Sequence, residues 1–269
     1  MMNRILWLII FFLSSFSGFS QYWFGPKVGL NYINHVYQEN TYESDSFNVP
    51  KNFNFQSGMA FSYTASDMYA VYGELFYERI GKKVRDKQTD GQLVRTEMTN
   101  HFISAPVMLR ITLGRLPVRY YLNAGPRLSY WVAGSGKRDL DEFEEFLEVD
   151  EVDYKITFNS SKANEADLGR ALVSQPNRLQ FGLTAGVGMI LELIGEKRLQ
   201  LDFRYTWVHS NMGTNNGEDD VNFNNVTHQE NFEYFHNIAT VGVAYLFGYN
   251  SKLRRKGKST NKKSNKKKK

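Results

Sequence analysis

The sequence contains no cysteine. A disulfide framework, a cysteine-based metal site and a lipoprotein anchor are therefore excluded. After residue 20 there is also no long apolar segment, so no helix of the ~20 residues needed to cross a bilayer is expected. The run Ile5 to Leu13 is apolar but too short to span. It follows Arg4 and precedes Gly18-Phe-Ser20, which puts small residues at both positions that a signal peptidase inspects. Residues 1–20 read as a signal peptide cleaved before Gln21. The histidines show no ligand spacing and nothing resembles a phosphate-binding loop, so no cofactor or metal is expected. Acids are missing from the last 22 residues, Gly248 to Lys269, which hold 11 Lys and Arg; without these eleven cations the formal charge of +5 becomes −6. The basic pI thus belongs to the tail and does not indicate a nucleic-acid-binding domain.

What is present is alternation, in a chain that is 15% aromatic. Near the end, Ala239, Val241, Val243, Tyr245 and Phe247 are apolar, and small or weakly polar Thr240, Gly242 and Ala244 lie between them. A period of two makes this a strand with one greasy and one narrow face. Thr240, Gly242, Tyr245 and Phe247 also fit the polar-x-Gly-x-x-aromatic-x-aromatic pattern that closes bacterial outer-membrane barrels, which resembles the signal read by the barrel-assembly machinery. Seven earlier segments alternate in the same way: Tyr22 to Val36, Phe53 to Ala65, Tyr69 to Arg79, His101 to Leu113, Val118 to Trp131, Leu179 to Leu191 and Leu199 to Val208. Pro106 lacks an amide hydrogen, so a bulge or a missing ladder bond is expected there. Connections run long, short, long, short, long, short, long.

Strands of about ten residues with short turns at one end and long loops at the other predict an all-β, eight-stranded antiparallel up-and-down transmembrane barrel. Residues 21–248 form the barrel, the long loops are extracellular, and residues 249–269 are a disordered periplasmic tail. Tyr22, Phe24, Tyr63, Tyr69, Tyr120, Tyr245 and Phe247 should form a lower aromatic girdle, and Tyr32, Phe55, Tyr77, Tyr130 and Trp207 an upper one. A soluble exported sandwich or calyx also alternates. However, the face opposite the large apolar residues is rich in Gly, Ser, Thr, Gln, Arg and Glu, which suits a narrow lumen better than a soluble surface.

Several motifs are similar to those of the PorT-type outer-membrane barrels of the Bacteroidota. They are Gly25-Pro-Lys-Val-Gly-Leu-Asn31, Tyr72-Gly-Glu-Leu-Phe-Tyr77, Ile103-Ser-Ala-Pro-Val-Met-Leu109, Ala124-Gly-Pro-Arg-Leu-Ser-Tyr130 and Leu201-Asp-Phe-Arg-Tyr205. The resemblance spans roughly residues 22–248 and implies residence in the outer membrane, in contact with its lipid. It also implies an accessory role in type IX protein secretion. It carries no catalytic residues.

Chemistry could reside in three places. The lumen face collects Lys27, Glu74, Glu78, Arg110, Arg119, Arg127, Asp202 and Arg204. Inside an eight-stranded barrel these must pair, as an ion-pair network filling the lumen or, alternatively, as the lining of a small pore. His209-Ser-Asn211 approaches the His-x-Ser-Asn motif of lipid A deacylases, but adjacent residues on a strand point to opposite faces. A lipid-modifying enzyme is therefore an alternative rather than the expectation. The eleven acids between Asp139 and Asp167 lack the spacing of a calcium loop and read as a solvated external segment. The tail cations Lys252, Arg254, Arg255, Lys256, Lys258, Lys262 and Lys263 suit acidic partners in the periplasm, either lipid headgroups or a component of the secretion system.

Overall fold

The structure, a computed structural model, describes residues 21–37, 47–86, 94–139, 151–158, 170–173, 176–213, 232 and 234–249. The expected signal peptide, the centre of the acidic loop and the basic tail lie outside the described residues. Eight long strands carry the fold: β1 (Gln21–Tyr37), β3 (Asn52–Thr64), β4 (Tyr69–Asp86), β5 (Val94–Arg115), β6 (Val118–Asp139), β9 (Leu179–Leu193), β10 (Lys197–Val208) and β11 (Tyr234–Tyr249). Three short ones, β2 (Phe47–Asn48), β7 (Glu151–Thr157) and β8 (Arg170–Leu172), decorate the long-loop end.

Each long strand pairs antiparallel with the next, and β11 returns to β1. The sheet is a closed ring of eight. Following the register once around carries Tyr22 through Tyr63, Val71, Leu109, Ala124, Ala185, Tyr205 and Ala239 back to Tyr32, ten residues further along β1. With ~3.3 Å rise per residue and ~4.8 Å between strands, that stagger tilts the strands by about 40° and gives a backbone cylinder of about 8 Å radius. Such a cylinder has room for side chains and little else.

Alternation along every strand then decides which residues meet lipid. Leu30, Val107, Leu109, Leu122, Leu183, Phe203 and Val241 are exposed on the outside. Lys27, Asn31, Glu74, Arg110, Gln200 and Asp202 are buried within. Aromatic pairs edge the apolar belt. On the short-turn side Tyr22 lies 5.3 Å from Tyr63 and Phe24 6.3 Å from Phe247. On the other side Tyr32 lies 5.2 Å from Phe53, and Phe55 6.4 Å from Tyr77. Pro106 behaves as its missing donor requires on the β4 side, where the ladder skips Glu74 and Leu75, whereas toward β6 it keeps Arg127 as its partner and the gap falls at Gly125 and Pro126 instead.

The strands run further than their apolar stretches. β4 continues seven residues beyond Arg79, and β5 begins seven before His101; both stretches had read as loop. Ile80, Lys82 and Val84 stay buried there and pair with Asn100, Met98 and Thr96. Arg79, Lys83 and Glu97 take the outward positions. Charge at outward positions rules out contact with hydrocarbon but not a strand standing above it, which is why the sequence marked the belt and missed the extension. β6 likewise extends to Asp139 and pairs with β7.

Because the outer face is in hydrocarbon, Leu109→Arg should lower unfolding free energy by about 2–4 kcal/mol. Urea titration in lipid vesicles, followed by tryptophan fluorescence, would check this. Leu113→Arg, on the same outward face but nearer the short-turn rim, should cost less.

Candidate functional site: the charged lumen

The lumen is filled in layers, and the order of residues along β4 shows them. Tyr72 lies lowest, Glu74 next, Glu78 above it and Ile80 above that. In the lowest layer Trp23, Ala60, Tyr72, Met108, Ala244 and Leu246 form an apolar cluster. Beside it, Glu192 is shared by Arg119 and by Arg198, whose Nε lies 2.6 Å from the carboxylate. The Arg198 guanidinium also sits 3.5 Å over the Trp23 ring.

The second layer is a four-membered ion cluster. Lys27 Nζ lies 2.8 Å from both Glu74 and Asp202. Arg204 lies 2.8 Å from the other Glu74 oxygen and 2.7 Å from Asp202. Two cations and two carboxylates from β1, β4 and β10 thus cancel across the lumen, each within 4% side-chain exposure. The wall between β1 and β10 is kept thin to admit them. A methyl group on Gly242 would lie 2.8 Å from an Asp202 oxygen and 3.0 Å from Lys27 Cε.

Arg110 is solved differently. Its guanidinium is held between the rings of Tyr72 and Tyr121, at 3.7 and 3.9 Å, and donates to Gln200 Oε1 at 2.9 Å. Gln200 in turn donates to the Tyr72 hydroxyl at 3.1 Å. Stacking on two aromatic faces takes the place of a carboxylate.

In the third layer Arg127 bonds Glu78, and Ser104 donates to the same carboxylate at 2.6 Å. Thr240 donates to Asn31 Oδ1 at 2.8 Å, and Asn31 reaches Glu78 at 3.4 Å. The top is apolar. Phe102, Trp131, Tyr154, Met212, Phe232 and Tyr234 pack into one buried cluster with Ile33, Ile80, Met98 and Ile238, and Phe158 leans on it. Segments from the long-loop side fold inward to complete it: Met212 N bonds Tyr234 O at 3.1 Å, and Gly213 N bonds Phe232 O at 3.1 Å.

All eight lumen charges expected from alternation point inward, but they fall into separate groups, with Arg119 at the lower rim and half-buried. Sequence reasoning missed Lys82, Glu192 and Arg198. Glu192 and Arg198 sit just beyond the expected strand ends, and Lys82 lies in the stretch read as loop; continued alternation was the signal available. It also missed the aromatic cap.

Other candidates resolve locally. Ser210 Oγ accepts from the Phe181 amide at 2.9 Å, while His209 is exposed, so this pair pins a strand end. Thr240 and Gly242 face the lumen, whereas Phe247 is exposed on the outer face and Tyr245 packs 5.0 Å from it. Among the described residues no group of three or more His, Asp or Glu is placed to hold a metal.

A closed eight-stranded ring with an apolar exterior and a charged, filled lumen defines an outer-membrane β-barrel. The chain belongs to the family described as "Outer membrane protein beta-barrel domain", which matches residues 15–212. Its fold is similar to several solved barrels. OprG from Pseudomonas aeruginosa aligns over 86% of this chain and 97% of its own, at 8% identity and a TM-score of 0.46. Ail of Yersinia pestis aligns over 86% and 99%, at 9% identity and a TM-score of 0.39. Neisserial surface protein A aligns over 83% and 96%, at 12% identity and a TM-score of 0.38. Among curated proteins, none matches the sequence.

Breaking a buried pair strands its partner. Glu74→Gln, which leaves Lys27 and Arg204 sharing Asp202 alone, should destabilise the barrel by about 3–5 kcal/mol. Arg110→Met, which strands no carboxylate, should cost less than half of that. Equilibrium unfolding of both variants in the same vesicles measures the difference.

Proposed function

We propose that this protein is a non-catalytic accessory barrel of the outer membrane that holds a partner rather than passing a solute. The observation that carries this reading is the lumen, closed from the Trp23 cluster through three charged groups to the Trp131 cluster. A small pore would need a continuous polar path. The described interior instead alternates polar with apolar layers. Against the lipid-modifying alternative stands the use of Ser210 at the strand end, where its hydroxyl oxygen accepts from the Phe181 amide.

The particular role proposed is support of type IX protein secretion, by resemblance to PorT-type barrels in the motifs on β1, β4, β5, β6 and β10. The basic tail suits that role. β11 ends beside the short β9–β10 turn, where Gly248 N bonds Glu196 O at 2.7 Å. Short turns lie on the periplasmic side of such barrels. The described chain ends at Tyr249 on this short-turn rim, which supports a periplasmic tail meeting acidic partners through Lys252 to Lys263. Each Lys or Arg near an anionic surface contributes ~1 kcal/mol, decaying over ~8–10 Å.

Three measurements test this reading. A deletion strain should lose secretion of type IX cargo; normal secretion would end this specific role. Purified protein in planar bilayers should show no stable open-channel steps, and such steps would make it a pore. Removal of residues 250–269 should leave the barrel inserted and strip salt-sensitive periplasmic partners from the purified protein.

A further inference from the structure

The barrel wall has one place where two neighbours part. β3 pairs with β1 as far as Asn52 opposite Ile33, yet its ladder with β4 stops at Gln56 opposite Glu78. Over the next four positions of β3, from Phe55 down to Asn52, no backbone pairing with β4 remains. Two side chains substitute for it. Asn54 Oδ1 accepts from Gly81 N at 3.2 Å, and Asn52 donates to Gly81 O at 3.4 Å. Above this, β2 pairs with β4 at Arg85 and Asp86. The result is a framed window holding an open cavity of about 370 Å³.

Its lining is divided by chemistry. On the lipid side stand Leu30, Phe53 and Phe55, with Phe53 77% exposed. Around the upper rim stand Arg79 and Lys83, with Lys82 on the inner wall and Glu97 opposite. Arg79 donates to Thr99 Oγ1 at 3.1 Å, which fixes its guanidinium at the rim and engages one of its five donors. Glu97 holds Lys83 at 3.1 Å. Lys51 joins from the β3 side, 5.8 Å over the Tyr32 ring. Three cations, Arg79, Lys83 and Lys51, thus stand at the window against one carboxylate, while Lys82 is turned into the lumen with its ammonium over the Tyr234 ring. The window's height is set by Tyr32, Phe53 and Tyr77, the upper edge of the apolar belt, where lipid headgroups begin.

We propose that this window binds a phosphorylated glycolipid of the outer leaflet. Its phosphate lies on Arg79 and Lys83, and the first part of its acyl chain lies along Leu30, Phe53 and Phe55. A planar guanidinium matches two phosphate oxygens at once. A lipid that presents an anion directly above an acyl chain meets the same order of chemistry in the wall. The outer leaflet of an outer membrane supplies such a lipid in lipid A. The two asparagines satisfy the Gly81 backbone without closing the gap between β3 and β4, which leaves the space between the strands open to a headgroup.

The test uses the full-length protein in detergent micelles, with bound lipid read by native mass spectrometry. Lipid A carrying its phosphates should be retained about tenfold more tightly than the same lipid after phosphatase treatment. The double variant Arg79→Glu, Lys83→Glu should lose that preference and still show the heat-sensitive gel mobility of a folded barrel. If it fails to fold, Arg79→Gln alone should weaken retention while folding normally. Arg115→Glu, on the opposite rim, should bind as the parent does. Equal retention of the two lipid forms, equal binding of phosphatidylglycerol, or an equal loss in Arg115→Glu would falsify the proposal.

Discussion

Everything in this molecule depends on pairing backbone amides and carbonyls where no water can reach them. In hydrocarbon an unsatisfied peptide group costs several kcal/mol, so a sheet that crosses the bilayer must have no free edge. The β1–β11 ladder meets this requirement, running from Tyr22 opposite Tyr249 to Tyr37 opposite Tyr234. Closing eight strands with a ten-residue stagger fixes the radius, and the radius fixes what the interior can be. A cylinder this narrow holds a packed interior and no aqueous channel. The apolar exterior and the crowded lumen are two consequences of one closure.

The crowded lumen creates a second constraint. Side chains that would normally be hydrated sit at or near zero exposure, so each charge needs a local answer. Three answers are used. Lys27, Glu74, Asp202 and Arg204 neutralise one another; Arg127, Ser104 and Asn31 surround Glu78; two tyrosine rings clasp Arg110. Each joins strands far apart in sequence, as in the Arg204–Glu74 bond, which spans 130 residues. The interior therefore reports whether the ring has closed in the correct register, because a slip of one residue on any strand would turn these charges toward lipid.

Alternation made most of this legible. Strand identity, strand number and the inward set from Lys27 to Arg204 could be read because every residue faces one of two very different surroundings. Partnership could not be read, because which charges meet depends on the stagger around the ring, and no single strand records it. Trp131, Phe102 and Tyr234 were invisible as a cap for a related reason. They occupy lumen positions in perfect period, and only their height shows that they close the mouth. The parting of β3 from β4 leaves no mark in the hydropathy pattern, since Asn52 and Asn54 are unremarkable strand-end residues until Gly81 is found beside them.

The unequal strand lengths have a consequence for the outer surface. β3, β9 and β10 end near the belt, but β4 runs nine residues past Tyr77 to Asp86, and β5 and β6 rise with it. At ~3.3 Å per residue and the tilt of the wall, that side stands on the order of 20 Å above the lipid. Among the described residues the strand ends at the mouth are uneven in height. Among the described residues, β4, β5 and β6 therefore raise a wall of paired strand above the lipid that β9 and β10 do not, and a large molecule meeting that wall meets hydrogen-bonded sheet rather than loop.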